Sequence, residues 1–233
     1  MEAEQAASLL AVTPLFANLD RAELLALGAD ARRRVYGKGE YICRQGDPGE
    51  SLFVLMDGRV KVVVVSEEGT EMILATLQPP DVFGELAVID GGSRSASIQA
   101  LEPTTLLTLT RATLLDLLSK QPAVSEVLLR SLGGLVRRMI EQAGDLVFLD
   151  LHGRVAKLLL RLVENLGADR GEQPCLDVRM TQSDLAAMVG GSRQSVNQIL
   201  HHFERRGYLR LEGQKLIVRD LDALRRRGGS TGD

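Results

Sequence analysis

Between about residues 32 and 110, apolar positions fall in short runs cut by turn residues. Residues 51–56 (SLFVLM) stop at Asp57-Gly58, residues 60–65 (VKVVVV) stop at Glu67-Glu68-Gly69, and residues 71–75 (EMILA) follow. Runs this short at this spacing predict antiparallel strands of a compact barrel or sandwich. Glycines at 37, 39, 46, 49, 58 and 69 mark turns expected to need positive φ. Ahead of them, residues 13–31 predict a helix, with Leu19, Leu24, Leu25 and Leu27 as its apolar face and Asp20 as its cap.

The period changes between residues 123 and 147. Leu128, Leu132, Leu135, Met139, Gln142 and Leu146 recur at spacings 4, 3, 4, 3, 4, the pattern of a coiled-coil seam. This helix is expected to pair with its own copy in a homodimer, with Gln142 setting register; the alternative is a helix packed on the barrel.

A second domain follows. A helix is predicted from 151 to 166 and a polar loop from 167 to 174. Thr181-Gln182-Ser183-Asp184 opens a short helix, Gly190-Gly191 turns, and Ser192-Arg193-Gln194-Ser195 opens another helix reaching about Arg206, the spacing of a helix-turn-helix. Residues 208–211 and 215–218 flank Glu212-Gly213 and predict a β-hairpin wing. The expected organisation is α+β: a sensor domain over 1–122, a dimerisation helix and hinge over 123–150, a winged helix-turn-helix over 151–227, and a disordered tail over 228–233.

Composition narrows the function classes. The chain has 233 residues, 45% of them hydrophobic, with two cysteines and 3% aromatics, which argues against a disulfide scaffold or a disordered chain. No apolar stretch reaches the roughly 20 residues that cross a bilayer, and the opening MEAEQAASLL lacks a basic signal region, so a cytoplasmic protein without membrane contact is expected. Cys43 and Cys175 lie far apart, and His152, His201 and His202 form no spaced ligand set, so no metal is expected. No Ser/His/Asp constellation or Walker loop is visible, which argues against an enzyme. Charge is asymmetric: residues from Leu151 onward carry 14 Lys+Arg against 10 Asp+Glu, leaving 14 against 21 before it. An acidic front and a basic back suggest different partners.

The most informative stretch is residues 81–100, DVFGELAVIDGGSRSASIQA. Gly84 allows close backbone approach and begins a short helix with Glu85 and Leu86; Arg94, expected on the strand that follows, supplies a positive fork beside Ser95. A phosphate suits the arginine, and a carboxylate beside it suits a ligand that also carries a hydroxyl, which together describe a nucleotide. The alternative is a scaffold in which Glu85 and Arg94 merely pair.

This segment resembles the phosphate-binding cassette of cyclic-nucleotide-binding domains, and residues 13–224 resemble the cyclic AMP receptor protein and fumarate–nitrate regulator (CRP/FNR) superfamily of bacterial transcription factors. The resemblance implies that Gly84 and Glu85 bind the ribose 2′-hydroxyl region, that Arg94 and Ser95 bind the cyclic phosphate, and that Val62, Leu74 and Ala75 form a ligand-contacting wall. It places Met139 and Ile140 where cyclic AMP receptors read adenine with hydroxyl or amide side chains. Neither side chain offers those hydrogen bonds. The iron–sulfur sensors of the superfamily use N-terminal cysteines, absent from residues 1–42, and its haem sensors use axial ligands, whereas the barrel has no histidine. Cys43 reads as a small buried hydrophobe rather than a redox switch.

In the helix-turn-helix, Arg193 can take guanine bidentately, Gln194 and Asn197 suit adenine, and Gln198 lies one turn beyond Gln194. Ser192 and Ser195, with Gln182 and His152 by resemblance, are expected on phosphates. The resemblance aligns Arg193 with the family's recognition-helix arginine, while Gln194 and Gln198 replace its glutamate and second arginine. The expectation is a homodimeric regulator that binds palindromic promoter DNA, is controlled by cyclic AMP or a related cyclic nucleotide, and works with RNA polymerase. The alternative is a constitutive regulator whose pocket is degenerate or takes another anion.

Overall fold

The structure, a computed structural model, describes residues 3–165, 175–177, 181–212 and 215–229; the loop read at 167–174, Gly213 of the hairpin turn and residues 230–233 of the tail lie outside them. In chain order come α1 (Ala3–Ala11), a 3-10 turn (Pro14–Phe16), α2 (Arg21–Asp30), β1 (Arg32–Tyr36), β2 (Tyr41–Cys43), β3 (Ser51–Asp57), β4 (Val60–Val65), β5 (Glu71–Leu77), β6 (Val82–Phe83), α3 (Glu85–Asp90), β7 (Ser97–Ala100), β8 (Thr104–Thr110), α4 (Arg111–Lys120) and α5 (Pro122–Phe148). Then follow α6 (Leu151–Asn165), β9 (Cys175–Asp177), α7 (Gln182–Val189), α8 (Arg193–Arg205), β10 (Leu209–Glu212), β11 (Lys215–Val218) and α9 (Leu221–Arg227). Contacts divide the chain into two compact units, Met1–Val136 and Arg137–Asp233.

In the first unit two antiparallel four-stranded sheets, ordered β1-β8-β3-β6 and β2-β7-β4-β5, form a β-roll. The near-continuous apolar run of β3 has a simple cause: its sheet is covered on both faces. Phe53 and Leu55 point to a core with Val60, Phe83, Ile98 and Leu106. Leu52 and Val54 point the other way, to a core with Leu10, Phe16, Leu114, Val124 and Leu128 from the helices. Asp20 caps α2 as expected: its carboxylate accepts from the Glu23 N–H, and the Glu23 side chain accepts from the Asp20 N–H. The region read as one helix is a 3-10 turn followed by α2, and α1 was not anticipated at all. Gly39, Gly46, Gly58 and Gly69 do take positive φ, but Gly37 and Gly49 do not. Gly49 is required for space, since a Cβ there would lie 2.0 Å from the Ala87 Cβ.

The second unit packs α6, α7, α8 and α9 around Val155, Leu159, Leu185, Val196, Ile199, Leu200 and Phe203, with Leu209, Leu216 and Val218 from the wing. The wing is a three-stranded sheet, β10-β11-β9, because β9 adds to the predicted hairpin. The end of α5 is tied to α6 by ion pairs of Asp145 with Lys157 and Arg161. Arg154 donates to the carbonyls of Leu149 and Val189, both at 2.9 Å, and so joins the α5–α6 elbow to the end of α7.

Candidate functional site

The anion cassette is built around Arg94. Its side chain is 5% exposed, a position a guanidinium occupies only when its donors are used. Nη1 donates to the Gly84 carbonyl at 2.9 Å and Nη2 to the Ser51 carbonyl at 2.7 Å. The guanidinium carbon lies 5.0 Å from the centroid of the Phe53 ring, which itself stacks on Phe83. Nε is buried and has no partner. The backbone of Arg94 is pinned as well: its N–H donates to Asp47 O at 2.8 Å, and its carbonyl accepts from Gly46 N at 2.9 Å. Arg94 therefore lies in the connection between α3 and β7, three residues before the strand on which it was expected.

Gly84 is the other half of this arrangement. It caps α3 with φ 85°, in the left-handed region, and a Cβ there would come within 2.5 Å of Arg94 Nη1. Glu85 opens α3 and is half-buried, while Leu86 and Ser95 are exposed. The structure thus brings Gly84 and Arg94 into contact and places Glu85 and Ser95 directly beside them in the chain. Val62 of β4 pairs with Ala75 of β5 and with Ile98 of β7, beside a bulge between Val62 and Val63. Val62, Leu74 and Ala75 are all half-buried. Cys43 is half-buried and packs against the inner core; burial raises its thiol pKa above the usual value, and Arg94 partly offsets this. That keeps it protonated, consistent with a packing role.

The apolar seam of α5 differs from the pattern read in the sequence. Leu128 is 6% exposed and Leu132 packs on the same core, so both belong to their own β-roll. A second stripe one residue on, Leu129, Gly133, Val136, Ile140, Ala143 and Val147, keeps the 4, 3, 4, 3, 4 spacing and is exposed except at the half-buried Gly133, while Leu146 of the first stripe is exposed as well. Leu129, Val136, Ile140 and Val147 are 57–75% exposed. Two apolar stripes one residue apart are indistinguishable by periodicity alone; the first unit's core takes Leu128 and Leu132 of the first. Met139 is half-buried and Ile140 exposed.

In the second unit the caps expected for the helix-turn-helix are present. Thr181 and Asp184 form a reciprocal capping box on α7, Gly190 ends it with φ 63°, and Ser192 Oγ accepts from Ser195 N at 3.0 Å to start α8. Arg193, Gln194 and Gln198 are exposed on α8. Asn197 is half-buried, and its amide donates to Gln182 Oε1 at 2.7 Å, clasping α7 to α8. Ser195 is half-buried against Ser192, at 2.8 Å between hydroxyls. His152, in the first turn of α6, stands 5.7 Å from His202 and 6.2 Å from Phe203, ring centroid to centroid.

Two comparisons agree with this geometry. Residues 33–121 match the family model of the cyclic nucleotide-binding domain, and residues 153–227 match that of the Crp-like helix-turn-helix domain. The chain is 33% identical over 219 residues to the CRP-like cAMP-activated global transcriptional regulator of Mycobacterium tuberculosis, covering 94% of this chain and 98% of that one. The chain belongs to the CRP/FNR superfamily. It is likewise 34% identical over 212 residues to the cyclic AMP receptor protein of Thermus thermophilus, covering 91% of this chain and 95% of that one. Among solved structures, a CRP/FNR-family transcriptional regulator from Thermus thermophilus superposes with a TM-score of 0.70 at 26% identity, covering 86% of this chain and 100% of that one.

Membership makes the protein a DNA-binding transcription regulator with a cyclic-nucleotide-binding domain; its family is one of regulators, not enzymes. Among the described residues no helix is long and apolar enough to cross a membrane, and no group of three or more His, Cys, Asp and Glu could hold a metal. Reading this CRP/FNR regulator from sequence missed Ser51 and Phe53, the two β3 residues that seat Arg94. Their spacing of two places them on one face of the strand, but nothing in the sequence pairs that face with Arg94 across 43 residues.

Proposed function

We propose that this regulator is controlled by cyclic AMP or a related cyclic nucleotide bound at the Arg94 cassette, and that it binds palindromic promoter sites as a homodimer. The observation that carries the reading is Arg94 itself: buried, fixed through two backbone carbonyls, with Nε unpartnered. A guanidinium held this way is preorganised for an anion, because neither its position nor its charge has to be arranged when the ligand arrives. The cAMP-activated relatives support the same ligand class. In this reading Gly84, Glu85 and Leu86 meet the sugar, Arg94 and Ser95 the phosphate, and Val62, Leu74 and Ala75 the remainder, while Met139 and Ile140 occupy the α5 positions that the family resemblance assigns to reading the base.

The exposed stripe of α5 supports the homodimer. Pairing it with a second copy would bury apolar surface otherwise left in water and set two recognition helices about one DNA turn apart, roughly 34 Å. Ligand then acts by population shift, favouring one packing of the paired helices. Arg193, Gln194, Asn197 and Gln198 read bases, Asn197 from its hold on Gln182; Ser192, Ser195, Gln182 and His152 position the backbone; and RNA polymerase is the further partner. A second reading rests on Met139 and Ile140, which cannot hydrogen-bond a base: a regulator that is constitutive or answers a different anion.

The test is fluorescence anisotropy on a duplex selected from a random library, with and without cyclic AMP or cyclic GMP. A nucleotide-dependent change in affinity that disappears in Arg94→Ala supports the first reading. Tight binding that neither nucleotide alters selects the second.

A further inference from the structure

One face of α8, from Ser195 to Arg205, and the start of α6 border an open groove of about 500 Å³, lined by Leu151, His152, Ser195, Gln198, Ile199, His202 and Arg205. No carboxylate lines it. Arg205 is exposed, His202 and His152 are half-buried, and Gln198 is exposed on the helix that carries Arg193 and Gln194. The charged and titratable groups around His202 are Arg205 on α8, Arg206 just past its end, His152 on α6 and Arg227 on α9. Asp150, whose charge acts on His152, accepts from Gly153 N at 2.8 Å and pairs with Arg227. A concave, cationic surface continuous with a base-reading face fits an anion of the duplex.

We propose that this groove seats a backbone phosphate of the DNA, held by Arg205 and by the imidazolium form of His202, with His152 and Ser195 completing its rim. The proposal rests on the DNA-binding reading and extends it along α8, past the residues that read bases, to His202 and Arg205. It also adds a proton to the binding reaction. In the free protein, burial first and then the surrounding cations hold His202 below the ordinary histidine range, so its ring is neutral near pH 7. A phosphate placed against it reverses the balance and raises its pKa. DNA binding then takes up a proton, and affinity falls as pH rises through the interval between the free and bound values.

The test uses the full chain, a labelled mixed-sequence duplex of about 30 base pairs, and anisotropy titrations between pH 6 and 8 at several salt concentrations. The unsubstituted protein is expected to bind up to about tenfold more weakly per pH unit where the single proton is exchanged. His202→Gln should flatten that pH profile. Arg205→Gln should lower the salt slope by about 0.9 per bound subunit while weakening all sequences alike. Circular dichroism checks that both variants are folded, and the exposure of Arg205 makes its substitution the safer of the two. Variants with the pH profile and salt slope of the parent would overturn the groove while leaving DNA binding intact. A parent that fails to bind duplex DNA at low salt would overturn both readings together.

Discussion

Two arginines stand at the proposed ligand and DNA sites of this regulator, and they are held in opposite ways. Arg94 is 5% exposed, both of its Nη atoms donate to carbonyls of its own fold, and its backbone is bonded at both ends of the residue. Arg193 is exposed at the start of α8, and its side chain has no hydrogen bond or ion pair among the described residues; the Ser192 cap fixes the turn it stands on. A cassette for a small constant group, a phosphate, can be assembled in advance, and the fold bears the cost of burying the charge. A base-reading side chain meets its partner only in the groove, so its specificity is written in the DNA as much as in the protein. The contrast predicts that substitutions in the cassette disturb stability and ligand binding together, whereas substitutions of the exposed Arg193, Gln194 and Gln198 on α8 leave the fold untouched.

The largest effect is expected at Gly84. Gly84→Ala forces an L side chain into the left-handed region, at about 1–2 kcal/mol, and drives its methyl group into Arg94 Nη1. Thermal unfolding should move down and nucleotide binding should weaken on the order of 100-fold, both in the same variant. A Gly84→Ala protein with unchanged melting and unchanged affinity would show that the contact between Gly84 and Arg94 is not the device described.

Next comes the stripe of α5. Val136→Glu places a charge in the middle of the exposed seam and should weaken self-association on the order of 100-fold by sedimentation, since a carboxylate buried without a partner is costly. Gln142→Ala, on the stripe one residue back, should leave self-association within a few-fold of the parent. If Gln142→Ala changes the oligomeric state and Val136→Glu does not, the pairing face is the one first suggested by the heptad pattern.

The smallest effect belongs to Arg193. Arg193→Ala should cost about 1–3 kcal/mol on a selected site, little on mixed sequence, and nothing in thermal unfolding. An equal loss on both duplexes would make Arg193 a phosphate contact rather than a reader.

What was legible in the sequence follows the range of each interaction. Asp20, Thr181 and Ser192 were readable as caps because a cap bonds an N–H three residues away. The strands of the β-roll and the wing hairpin were readable because turn residues bound short apolar runs. The α1 helix was missed: its buried face is mostly alanine, Ala6 and Ala7 with Leu10, too weak an apolar signal to stand out. The β9 strand was missed because three residues carry no period, and its pairing with β11 is non-local. On α5, Leu128 and Leu132 satisfy the seam spacing and yet pack on the first unit's core, a non-local contact that periodicity does not carry. In the cassette, residue types and order were visible, but the seat of Arg94 on Ser51 and Phe53 depends on β3 lying beside it, which only the fold supplies.

The central claim is that Arg94 is a prepared anion site, and calorimetric titration with cyclic AMP and cyclic GMP of the parent and of Arg94→Ala tests it most directly. Removing the guanidinium leaves the Gly84 and Ser51 carbonyls without their donor, at about 1–3 kcal/mol each, so the titration is run well below the variant's melting temperature. The account predicts saturable binding of at least one nucleotide by the parent and none by the folded variant. Equal affinity in parent and folded Arg94→Ala would contradict it.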